Sequence, residues 1–179
     1  MSDFSNEAHF WLGAPKEAAQ CIFLMPNKPV LPLEYNNEAF LSNPNVPLLI
    51  ELNGNHWRKI FTIMAKLLSP SPQDWRYYRD ERLFSRCAIV WDKQQLMEYN
   101  AVSNNVGQAR VVFIVGNSFR QDIAIDEGAT IVGEKQQAAF WGHQIWCPYL
   151  DYRQFPNRLI AELRHQVLDN LLESPCYKH

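Results

Sequence analysis

Val111-Val112-Phe113-Ile114-Val115-Gly116-Asn117-Ser118 is an unbroken apolar run, mostly β-branched, closed by three turn-forming residues. β-Branched residues fit a pleated strand, and Gly-Asn-Ser supplies the turn that ends it. The run has no polar alternation, so the strand it predicts is buried on both faces, as strands of parallel sheets are. Three other runs read the same way. Cys87-Ala-Ile-Val-Trp91 closes at Asp92-Lys93, Cys21-Ile-Phe-Leu-Met25 at Pro26-Asn27-Lys28-Pro29, and His143-Gln-Ile-Trp-Cys147 at Pro148. Four such strands separated by helical or loop segments predict a single α/β domain over residues 1–179. The expected architecture is a three-layer α/β/α arrangement with a mostly parallel sheet of about four strands.

The intervening segments carry helix signals of different strength. After the cap residues Asn53-Gly54-Asn55, apolar Trp57, Ile60, Phe61, Met64, Leu67 and Leu68 recur at helical spacing, and Ser69-Pro70-Ser71-Pro72 ends the pattern. A terminal helix starts near Pro156, with Leu159, Ile160, Leu163, Val167, Leu168, Leu171 and Leu172 on one stripe. Shorter helices are expected around Lys16 to Gln20, over Gln94 to Asn100, and over Glu134 to Trp141 after a short strand at Thr130-Ile-Val132. Residues 26–47 are rich in proline and asparagine and read as a long loop. Asn104-Asn-Val-Gly107 reads as a turn, and Asp74 to Arg82 has no clear assignment.

Composition removes several function classes. The chain has 179 residues, 47% hydrophobic and 20% charged, which is globular usage rather than that of a disordered chain. Its formal charge is −2, so nucleic acid is not drawn by an overall field and any such binding needs a local basic patch. The seven glycines form no G-x-G pair, which excludes the dinucleotide fingerprint. Gly128-Ala-Thr-Ile-Val-Gly133-Glu134-Lys135 puts a carboxylate where a P-loop has its lysine. Cys21, Cys87, Cys147 and Cys176 have neither metal-ligand nor redox spacing, and no histidine pairs at metal spacing. No metal or cofactor is expected. No stretch reaches the ~18 apolar residues of a membrane span, and Met1-Ser-Asp-Phe-Ser-Asn-Glu7 lacks a signal-peptide pattern. The expected setting is cytoplasmic, with no membrane partner.

In open parallel sheets ligands bind beyond the carboxyl ends of the strands. The strand ends therefore come first as site candidates. Tyr149-Leu-Asp-Tyr152-Arg153-Gln-Phe155 follows the last strand and precedes a helix. Aromatic faces stack bases, arginine binds phosphate, and a helix N-terminus favours anions. Ser118 after a strand resembles a nucleophile elbow, but bulky Arg120 stands where that turn needs a small residue. His56, His143 and His165 are the histidines considered as acid, base or ligand.

The order of these segments resembles the uracil-DNA glycosylase superfamily, nearest its mismatch-specific branch. The matching stretches are Cys21-Ile-Phe-Leu-Met-Pro-Asn27-Lys-Pro29, Gly54-Asn55-His56-Trp57-Arg58-Lys59-Ile60, Val111-Val-Phe-Ile-Val-Gly116, and His143 through Asn157. The first loop lacks that family's leading glycine, and the last loop, Cys147-Pro148-Tyr149-Leu150, lacks its histidine and serine. The resemblance implies recognition, or hydrolytic excision, of a flipped-out base in DNA. It implies that Asn27 orients the water, and that Pro26, Asp92, Asn117 and Tyr149 meet the base. It also implies that Lys28, Asn55, Arg58, Lys59, Tyr152, Arg153 and Asn157 grip the nucleic acid. Two other readings stand beside it: a non-catalytic α/β binding module using the same strand-end pocket, and a small hydrolase using Ser118 with a histidine.

Overall fold

The computed structural model describes residues 10–33, 38–103 and 110–172. Its seven strands are β1 (Leu12–Gly13), β2 (Cys21–Leu24), β3 (Cys87–Val90), β4 (Val111–Val115), β5 (Thr130–Val132), β6 (Ala138–Trp141) and β7 (Gln144–Cys147). They form one sheet in the order β1-β3-β2-β4-β7-β6-β5. The apolar runs make its centre, with β2 parallel to β3 and β4, and β4 parallel to β7.

The expected four-stranded, mostly parallel sheet in a three-layer stack is corrected here. The sheet is mixed, and its outer pairs β1–β3, β5–β6 and β6–β7 are antiparallel. β5 is the short strand expected at Thr130-Ile-Val132, while β1 and β6 escape the apolar-run criterion for physical reasons. β1 is two residues long. β6 is Ala138-Ala-Phe-Trp141, whose alanines and preceding Glu134-Lys-Gln-Gln137 carry helix propensity. Pairing with β7 through the Gly142-His143 turn overrides that propensity, so the helix expected over Glu134 to Trp141 is a strand instead.

The described α-helices are α1 (Glu38–Ser42), α2 (Val46–Asn53), α3 (Asn55–Leu68), α4 (Trp75–Tyr77), α5 (Lys93–Ser103), α6 (Asn157–Leu163) and α7 (Asp169–Leu171). α4 runs into a π-type segment Tyr78–Arg82 and a 3-10 turn Leu83–Ser85; α6 runs into a second π-type segment, Arg164–Leu168. The proline-rich loop expected over 26–47 is therefore interrupted. Pro47 is tolerated in the first turn of α2, and Asn45 caps that helix by accepting from the Leu48 N–H at 3.0 Å. The helix expected at Lys16 to Gln20 is a turn. The turn expected at Asn104 to Gly107, and Cys176, lie outside the described residues.

Side chains alternate between the two faces of the central strands. Phe23, Ile89, Phe113 and Ile145 join the larger core, beneath α2, α3, the Tyr78–Ser85 segment and α6. The Phe23 and Phe113 rings stack there at 4.6 Å. Ile22, Leu24, Val90, Ile114 and Trp146 face the other way, onto Leu96 and Tyr99 of α5 and onto Phe119, Ile123 and Ile125 of the β4–β5 connection. Cys21, Cys87 and Cys147 are free and buried in the sheet, and burial pushes each thiol's pKa up.

Candidate functional site

The connection after β2 leads to β3 on one side, and the chain then crosses back to place β4 on the other side of β2. The carboxyl ends of β2 and β4 therefore flank the topological switch point, where open α/β sheets leave a crevice for ligand. Asn27 stands just beyond β2, Gly116 beyond β4, and Tyr149 beyond β7. Tyr149 reaches back over the end of β4, and its ring lies 3.9 Å from where a Cβ on Gly116 would stand. Its hydroxyl donates to Asn27 Oδ1 at 2.7 Å.

The third member comes from α3. Gly54, at φ +77°, separates α2 from α3 and offers no side chain to cap the latter's first amides. One residue into α3, His56 Nε2 lies 2.7 Å from the Tyr149 hydroxyl. That hydroxyl's proton is already given to Asn27, so His56 Nε2 carries a proton and donates. The chain of donation runs from His56 through Tyr149 to the Asn27 amide oxygen. Polarising that oxygen strengthens the amide NH₂ as a donor. Half-burial raises the Tyr149 pKa above its usual value, opposed by the Asn27 hydrogen bond and aided by nearby Asp151. The phenol therefore stays a donor through the neutral range.

A basic and aromatic strip continues along the same face of α3. Lys59 pairs with Asp151 at 3.5 Å and lies 5.6 Å from the centre of the Tyr152 ring. Asp151 is held below its usual carboxylate pKa, first by the Arg153 N–H and, against the cost of burial, by Lys59. Two helical turns on, Lys66 approaches both Tyr152 (5.9 Å) and Trp75 (5.0 Å) and donates to Asn157 Oδ1 at 3.0 Å. Arg76 and Arg79 share the Trp75 ring, at 4.5 and 5.4 Å. Burial, and then the charge of Arg76, lower the Lys66 pKa. Three cations on one indole ring repel each other, and among the described residues only Arg79 has a carboxylate bridge there, to Asp80 at 2.9 Å. The sequence reading missed Lys66, Trp75, Arg76 and Arg79. Their only early signal was the aromatic and charged character of Asp74 to Arg82.

The expected site residues fall into three groups. Asn27, Tyr149, Lys59, Tyr152 and Asn157 come together as described. Pro26, Lys28, Asn55 and Arg58 are exposed around the same edge. Asp92 caps α5, while Asn117 and Arg153 make backbone bonds and leave their side chains exposed. Asp92 Oδ1 accepts from the Gln95 N–H at the start of α5, while Gln95 Oε1 accepts from the Trp91 N–H, a reciprocal cap. The Asn117 carbonyl accepts from the Arg120 N–H in the turn after β4, and the Arg153 carbonyl accepts from Gln136.

Ser118 is exposed in a turn with no helix behind it, and no histidine among the described residues bonds to it. Among the described residues no group of three or more His, Cys, Asp or Glu side chains is arranged to hold a metal ion. No described helix is long and apolar enough to cross a membrane.

No curated protein and no solved structure matches the chain. Residues 11–168, which include the whole edge from Asn27 to Asn157, match one family model, and the chain belongs to that family of unknown function, DUF6942.

Proposed function

We propose that the carboxyl edge of the sheet recognises a base in nucleic acid. The observation that carries the reading is Tyr149, which joins Asn27 and His56 across the end of β4. Asparagine recognises a base edge through its paired amide donor and acceptor, and the Asn27 NH₂ is the polarised donor there. The exposed Tyr152 ring offers a stacking face with Lys59 and Lys66 beside it, and Lys28, Arg58 and Arg76 are further candidate phosphate partners. The uncapped start of α3 adds favourable amide dipoles for an anion. These local charges supply the attraction that a net charge of −2 does not.

Excision of the base is the finer form of the same proposal. In it Asn27 holds the water whose oxygen adds to the sugar carbon as the base departs with the bonding electron pair, the water's proton ending on the base. Recognition is tested by fluorescence anisotropy with plain and uracil-containing oligonucleotides over a range of salt. The expected result is binding that weakens steeply with salt, because counterions are released, and that is tighter for the altered base. An incubation of the same oligonucleotide, assayed for free base, separates excision from recognition. Absence of binding at low salt would remove both.

A further inference from the structure

A second recess lies at the opposite edge of the sheet, where α3 ends at Ser69 and Arg86 leads into β3. It is separated from His56 by the length of α3, about 20 Å at 1.5 Å per residue. The cavity measures about 400 Å³, within the usual size of small-molecule pockets. Its wall is the segment carrying Asp74, Tyr77, Tyr78, Arg82 and Arg86. Part of that wall is the π-type segment Tyr78–Arg82, and π turns inside helices occur often at functional sites.

The lining has a definite chemistry. Tyr77 leaves 59% of its surface exposed beside the cavity, while Tyr78 is buried behind it. The charged residues of the lining are Asp74, Arg82 and Arg86. Arg82 has no ion-pair partner among the described residues. The Ser69 and Ser71 hydroxyls donate to the Ser71 carbonyl at 2.6 Å and to Gln73 Oε1 at 2.9 Å. A planar guanidinium binds carboxylate or phosphate in paired fashion, and a phenol face packs against a ring.

We infer that this recess binds a small ligand carrying an aromatic ring and an anionic carboxylate or phosphate group, the anion on Arg82 and the ring against Tyr77. None of the lining residues is among those assigned to base recognition, although Asp74 and Tyr77 flank Trp75 and Arg76 of the basic strip.

Isothermal titration of the full chain with phenyl phosphate, benzoate and inorganic phosphate tests it, using wild type, Arg82→Gln and Tyr77→Ala. Both substituted positions are exposed, and urea midpoints check that each variant folds. The expected result is one saturable site for phenyl phosphate or benzoate, weaker binding of inorganic phosphate, and a loss of about tenfold or more in Arg82→Gln. Tyr77→Ala should bring the affinity for phenyl phosphate down towards that for inorganic phosphate. The relative strength of phenyl phosphate and benzoate separates phosphate from carboxylate ligands. Absence of saturable binding, equal affinity for phosphate with and without the ring, or an unchanged Arg82→Gln would each overturn the proposal.

Discussion

Tyr149 and Tyr99 show how one residue type serves two ends. Tyr149 stands half-buried with its hydroxyl shared between a donor and an acceptor, while Tyr99 is buried on the sheet-facing side of α5 and donates to the Ala19 carbonyl at 2.7 Å. Replacing Tyr149 by Phe removes one hydroxyl and little volume. The fold should lose no more than about 1 kcal/mol by urea titration, while discrimination between plain and altered base falls. A variant that unfolds, or one that keeps full discrimination, would separate Tyr149 from recognition. Tyr99 makes a different prediction. Burial pushes its phenol up from 10.0 to about 12, against the opposing influence of Arg110. The folded chain thus holds this proton more tightly than the unfolded chain. The contribution is whole below pH 10 and is lost as pH rises towards about 12. The Cys21 thiol, raised from 9.0 to about 12, acts in the same direction from pH 9 upward. Urea midpoints should therefore fall across that alkaline window, and Tyr99→Phe should make the fall shallower; an equally steep fall in the variant would contradict this. Neither tyrosine's hydrogen-bond partner was legible beforehand, because each lies more than 70 residues away in the chain.

Local composition located the elements well where they bury themselves and poorly where they depend on a neighbour. The runs at 21–24, 87–90, 111–115 and 144–147 are apolar because both faces are covered, so the strand reading needed no partner. β6 and β1 are strands only because another strand is there to pair with, and no period in their own sequence announces it. The same holds for α2, whose prolines and asparagines suggested a loop although Asn45 and Pro47 are start signals for a helix. Asn45→Ala should destabilise the chain by about 1 kcal/mol in urea, and a null effect would remove Asn45 as a cap. Gly13 is the sterner case. Its φ is +122°, and a Cβ there would meet the Cys87 carbonyl oxygen at 2.5 Å and the Ala88 Cα at 2.8 Å. Backbone atoms cannot swing aside as a side chain can. Gly13→Ala should therefore cost more than the cap does, about 2–3 kcal/mol, with β1 lifting from β3. Equal midpoints for the two variants would mean that β1 is not held this closely.

Over the whole molecule, the mixed sheet sets two chemically distinct ends. At the carboxyl edge the crossover between β2 and β4 brings Asn27, His56 and Tyr149 together, and α3 carries the basic and aromatic strip away from them. At the amino edge the Tyr78–Ser85 segment encloses the Arg82 recess. The ends of the apolar strands were legible as candidate positions, which is why Asn27 and Tyr149, now seen joined at 2.7 Å, were named from sequence. The cations around Trp75 were not, since nothing in Asp74 to Arg82 says which face of α3 it meets. Each cation that contacts phosphate contributes about one unit to the slope of log affinity against log salt. Arg76→Ala should thus lower both the affinity and that slope by about one unit, with base preference unchanged; an unaltered slope would exclude Arg76 from the interface. The central claim, that ligand sits at the switch point, is tested most directly by mapping amide shift changes while an oligonucleotide is titrated into labelled protein. The account predicts that the largest changes fall at Asn27, His56, Lys59, Gly116, Tyr149 and Tyr152. Changes confined to the amino edge or to the α5 face, with these residues unmoved, would contradict it.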